Sequence, residues 1–119
     1  MSTKTVPSGD GVRYRAIELI EHANDDGVPA TMDSDTYSFA MLILECITEK
    51  VPFSDISREA AVLHARVSKR RTPPRPGTQN SKGSISDGLW DLMVRCWSPK
   101  PGDRPTMGFV ARHFLDNVN

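Results

Sequence analysis

The chain has no excess charge of either sign, few aromatic residues, little cysteine and no long apolar run. Fifteen Lys and Arg balance fifteen Asp and Glu over 119 residues, for a formal net charge of zero. No bulk electrostatic attraction draws it to nucleic acid or to an anionic membrane, and neither is expected as a partner. Nothing approaches the roughly 20 apolar residues of a membrane span, and the N-terminus lacks a charged-then-apolar leader. Aromatics make up 7% of the chain and hydrophobic residues 38%, ordinary for one small globular domain at most. The two cysteines, Cys46 and Cys96, sit in helix-patterned segments without metal-ligand spacing. They read as buried thiols of a reducing compartment, the cytosol or nucleus, against a disulfide. No stretch alternates apolar and polar residues as a strand does, and there is no internal repeat. The fold class expected is all-α.

What is present is a series of helical patterns separated by turn formers. Residues 1–11 are polar and read as a flexible tail, with the domain proper over 12–119. A short helix is expected over 16–22, ended by the turn cluster Asn24-Asp25-Asp26-Gly27. Asp33 or Ser34 can cap a helix running to about Thr48. Residues 39–47 of that helix are apolar almost all round, which demands protein on every side. A further helix is expected from Ser57, with Ala60, Leu63 and Val67 as its apolar stripe. The Pro-rich run 72–77 breaks the chain into a polar loop. Ser84, with Asp87 three residues on, resembles a capping box. Leu89, Leu92, Met93, Cys96 and Trp97 then recur with helical period. Thr106 can cap a last helix whose inner face holds Met107, Val110, Phe114 and Val118.

Three separated motifs carry a resemblance. Arg13-Tyr14-Arg15-Ala16-Ile17-Glu18, Ser34-Asp35-Thr36-Tyr37-Ser38-Phe39 and Pro101-Gly102-Asp103-Arg104-Pro105-Thr106 stand in the order found in the back half of a protein kinase domain. The chain resembles the C-terminal lobe of such a domain from about Val12 to Val118, in the tyrosine-kinase-like branch and its fungal expansions. The resemblance implies a helical subdomain: the end of the activation segment and four to five helices, with no N-lobe. It also implies that Glu18 and Arg104, 86 residues apart, form a buried ion pair closing the activation segment onto the last loop. Asp35 matches the residue that anchors the catalytic loop. With that loop absent, its expected role is to cap its own helix. Trp97 resembles the packing residue of the family's Cys-Trp pair, and Trp90 is a second packing residue.

The resemblance also shows what is missing. A kinase needs a Gly-rich loop over the phosphates, a strand Lys, an H-R-D loop and a D-F-G metal ligand. None is present in these 119 residues. Gly9-Asp10-Gly11 is a lone G-x-G without a preceding strand. Ile17 replaces the Pro of A-P-E, and Gly11 replaces the Thr of the substrate loop. No cofactor is expected, since ATP and magnesium would belong to the missing half. His22, His64 and His113 lack ligand spacing, and the calcium-loop start at Asp33 and Asp35 lacks its Gly and its bidentate Glu. Arg70, Arg71, Pro73 and Pro76 have the spacing of a polyproline II ligand and form a candidate docking segment. The alternative is the Pro- and Arg-rich connection that kinases often carry there. Two function classes remain. One is a non-catalytic interaction module, using the surface of helix 57–67 and its loop, or an uncovered face of the central helix, for a protein partner or self-association. The other is the truncated product, or gene model, of a Ser/Thr or Tyr kinase.

Overall fold

The computed structural model describes residues 9–21, 30–76 and 85–117. Every regular element among them is helical: α1 (Gly9–Tyr14), α2 (Ile17–Glu21), α3 (Met32–Thr48), α4 (Glu59–Val67), α5 (Asp87–Cys96), a 3₁₀ turn (Pro101–Asp103) and α6 (Met107–Asn117). No strand occurs among the described residues. The all-α expectation holds. The turn at 24–27, His22, Ser84 and Val118 lie outside the described residues.

Helix α3 is the axis. Helix α1 packs on one part of it, α5 and α6 on another, while α4 holds α1 and α2. Tyr37, Ala40, Met41, Ile43 and Leu44 of α3 are buried, and all five positions of the α5 period are buried with them, from Leu89 to Trp97. Val12, Ile17, Phe53, Val62 and Val110 join the same core. The i, i+3, i+4 spacing of α5 places those side chains on one face, which the core then covers.

Several local expectations are corrected. Gly9–Gly11, read as tail, form the first turn of α1. Helix α3 is capped by Thr31 rather than by Asp33 or Ser34. The Thr31 hydroxyl accepts from the Ser34 N–H at 3.1 Å, while the Ser34 hydroxyl accepts from the Thr31 N–H at 2.7 Å. This reciprocal arrangement satisfies two otherwise free donors. Asp35 therefore lies one turn inside the helix, exposed, where its charge favours the positive end of the helix dipole. Ser86, not Ser84, caps α5, its hydroxyl accepting from the Leu89 N–H at 3.2 Å. Helix α4 turns Val62, Ala65 and Arg66 inward and leaves Ala60 exposed, because α1 and α2 approach from that side. Cys46, expected to be buried, is exposed, and Met107 is 37% exposed. Thr106 does cap α6, accepting from the Phe109 N–H at 3.2 Å.

Candidate functional site

Three buried arginines organise the molecule, and each reaches across the chain to carbonyl or carboxylate oxygens of other segments. Arg104 follows the 3₁₀ turn. Its Nη1 and Nη2 donate to the two oxygens of Glu18, on α2, at 2.9 and 2.7 Å. Its Nε donates to the Ser98 carbonyl at 2.9 Å and Nη1 also to the Asp33 carbonyl at 3.1 Å. The Arg104 side chain is wholly buried and its guanidinium carbon lies 4.8 Å from the centre of the Tyr37 ring. The parallel two-bond geometry is the strongest form of such a pair. Burial alone would raise the Glu18 carboxyl. The bonds from Arg104 and its own backbone, with the charges of Arg104 and Arg66, hold it below its ordinary value instead.

Arg66, from α4, is fully buried. Its Nη1 donates to the carbonyls of Val12 and Arg15 at 3.1 and 2.7 Å, at the C-terminal end of α1. Those carbonyls have no intrahelical partner and carry the negative end of the helix dipole, so a cation belongs there. Its Nη2 donates to the Tyr37 hydroxyl at 2.7 Å. Burial lowers the Arg66 pKa, while Tyr37 and Glu18 oppose that shift. Tyr37 thus touches Arg66 with its hydroxyl and Arg104 with its ring.

Arg13, from α1, fastens the turn before α4. Its Nη1 donates to the carbonyls of Pro52 and Phe53 at 2.9 and 3.0 Å, Nη2 to that of Ile56 at 2.9 Å, and Nε to Glu59 at 3.1 Å. Phe53 is buried with φ of 59°, a conformation a bulky residue holds only when its surroundings impose it. The Arg13 bonds on either side of that peptide supply the constraint.

The remaining candidate residues fall in separate places. Trp97 is buried and meets Trp90 edge-on, with ring centres 5.6 Å apart. Arg70 forms an ion pair with Glu21, and Arg71 pairs with Asp55 at 3.1 Å. Pro73 is buried and Pro76 half-buried. The docking-segment reading needs correcting here: a groove cannot receive Pro73 without first pulling it out of its own domain. Arg13 and Arg66 were missed because an arginine at a helical position reads as surface. The one signal was the spacing of Val62 and Arg66, one turn apart on the same face.

No three of His, Cys, Asp or Glu come together to hold a metal ion among the described residues. No helix among them is long and apolar enough to cross a membrane. What the arrangement does is mechanical: guanidiniums tie helix ends and loops distant in sequence into one all-helical scaffold.

The sequence model of the family described as "Protein tyrosine and serine/threonine kinase" matches residues 2–114. The chain belongs to that family. Among its relatives, the proto-oncogene tyrosine-protein kinase ROS of Homo sapiens is 34% identical over 96 residues, 80% of this chain and 4% of the relative. The serine/threonine-protein kinase PkaA of Streptomyces coelicolor is 34% identical over 87 residues, 73% of this chain and 14% of that kinase. The receptor-type guanylate cyclase gcy-28 of Caenorhabditis elegans is 32% identical over 110 residues, 83% of this chain and 8% of the cyclase. The chain spans 14% or less of the length of each of these relatives. It corresponds to a fragment of a kinase domain.

Proposed function

We propose that this segment is the helical C-lobe portion of a tyrosine-kinase-like domain and works as a non-catalytic protein-interaction module in the cytosol or nucleus. The observation that carries the reading is a stripe along α3. Leu42 is 49% exposed, Cys46 is exposed and Phe39 is only half-buried, although they belong to the most apolar stretch of the chain. Met41 and Leu44, on the opposite side, are fully covered. Leu42 and Cys46 face solvent one turn apart, with the half-buried Phe39 at their N-terminal side, and such a strip is what a helix presents to a partner. The 119 residues contain no Gly-rich loop, H-R-D or D-F-G motif, and this supports a binding role over phosphotransfer.

A second copy of the chain is the simplest occupant, because one stripe can cover its symmetry mate. Sedimentation at micromolar concentration is expected to show a dimer that Leu42→Glu returns to monomer with the helical circular dichroism unchanged. Calorimetry with Mg-ATP is expected to give no saturable heat. A strictly monomeric protein that binds no hydrophobic dye would end the interaction reading, and micromolar ATP binding would end the non-catalytic one.

The small share of each relative that this chain covers favours a second reading. Here the stripe is the face against which the rest of a Ser/Thr or Tyr kinase domain packs, and phosphotransfer belongs to that longer protein. A transcript joining this segment in frame to upstream H-R-D and D-F-G codons would select it.

A further inference from the structure

Arg66 differs from the other two buried arginines. Arg13 pairs with Glu59 and Arg104 with Glu18, whereas no carboxylate among the described residues pairs with Arg66. Among the described residues its buried Nε–H finds no acceptor, and the Trp97 Nε1–H is a second buried donor in the same condition. An indole N–H can only donate, and so can a guanidinium. The opposing carboxylate charge that Arg66 feels is that of Glu18, whose oxygens are already bonded to Arg104, and a fully buried cation left short of hydrogen bonds is costly.

Both residues line one cleft of about 60 Å³, several times what a single water requires. Tyr37, Arg70, Arg71 and Thr72 also line it, and no Asp or Glu among the described residues does. The hydroxyls of Thr72 and Tyr37 can donate as well. The cleft is therefore rich in donors and positively charged, with Arg70 and Arg71 on its wall already paired to Glu21 and Asp55. Water would give both free donors an acceptor but leave Arg66 and Arg104 sharing the single charge of Glu18. An oxyanion supplies both the acceptor and a further negative charge.

We propose that the cleft between Arg66 and Trp97 binds a phosphate or sulfate group, received by Arg66 Nε–H and Trp97 Nε1–H. The site lies on the buried side of the segment that follows α4 and is separate from the α3 stripe.

The chain contains two tryptophans, so a ¹⁵N-labelled sample has two indole N–H signals, and Trp97→Phe identifies which belongs to Trp97. Titration of the full chain with inorganic phosphate, and separately with sulfate, is compared with chloride at equal ionic strength. The Trp97 signal is expected to move saturably with the oxyanions and not with chloride. Parallel titration with O-phosphoserine and O-phosphotyrosine identifies the source: tighter binding of a monoester assigns the site to a phosphorylated residue, and equal or weaker binding assigns it to the free ion.

Calorimetry is expected to show phosphate affinity about tenfold weaker in Trp97→Phe, the scale of one hydrogen bond to a charged group. Arg66 also holds α1, so its replacement would confound binding with folding. Thr72→Val is the second variant, with affinity reduced severalfold and circular dichroism unchanged. A Trp97 signal that follows chloride as it follows phosphate, or that does not saturate, overturns the proposal. So does an affinity that neither variant alters.

Discussion

At the scale of single residues, Arg104 commits its whole side chain to one carboxylate, two carbonyls and the Tyr37 ring. The consequence is asymmetric. Arg104→Leu leaves the half-buried Glu18 without its cation and is expected to cost ~3–5 kcal/mol in a urea melt. The double variant Glu18→Leu, Arg104→Leu removes both charges together and should lose much less. Equal, small losses in the two proteins would show that the pair contributes little. The same pair sets an acid limb. Glu18 titrates below its ordinary 4.5 in the folded protein, so its contribution is fully present above that value. It is lost as pH falls from 4.5 through the lowered folded value. Melts between neutrality and strong acid should show this loss in the wild type and a smaller one in the double variant.

The Glu18–Arg104 partnership is readable in sequence only through likeness to a family, since no spacing rule joins residues 86 apart. Arg13 and Arg66 escape even that reading. Their partners are mostly backbone carbonyls, and a carbonyl has no sequence signature.

At the scale of elements, the two cysteines separate by face. Cys96 lies on the covered side of α5, and burial pushes its thiol up to about 12 against the opposing charges of Arg95 and Arg104. Cys46 lies on the open stripe of α3. Alkylation of the native protein near pH 8, followed by mass spectrometry, is expected to label Cys46 alone. Cys96 should react only in denaturant, because the thiolate is the reactive species and the buried thiol supplies almost none. Prompt labelling of both would mean that α5 opens readily. Periodicity located α5 and its inner face correctly, since its polar and apolar positions are cleanly divided. It could not do so for α3, where nearly every position from 39 to 47 is apolar and no sequence contrast marks the wet side.

At the scale of the molecule, α3 joins two sets of neighbours, α1 on one side and α5 with α6 on the other. Tyr37 on α3 touches both Arg66 from α4 and Arg104 from the C-terminal part. A shared axis with shared ionic contacts predicts a single unfolding unit. Trp90 and Trp97 both belong to the C-terminal part, so fluorescence reports that side while far-ultraviolet circular dichroism reports every helix. The two urea transitions are expected to coincide in midpoint and slope. A fluorescence transition that precedes the loss of helix would show that the sides melt independently.

The sequence by itself determined the helical class, the period of α5, the Thr106 cap of α6 and the kinase family, because these depend on neighbours within a turn or on motifs kept intact. The exact caps of α3 and α5 needed the structure. Thr31 and Ser86 compete with nearby Asp33, Ser34 and Ser84, all chemically able to cap, and only the path of the chain chooses among them. Tertiary structure alone decided which side of α3 stays open and which way α4 faces. It also decided where three arginines go, because each of these is set by what arrives from far along the chain. A carbonyl at a helix end attracts a cation wherever the fold brings one within reach, and local sequence does not encode that distance.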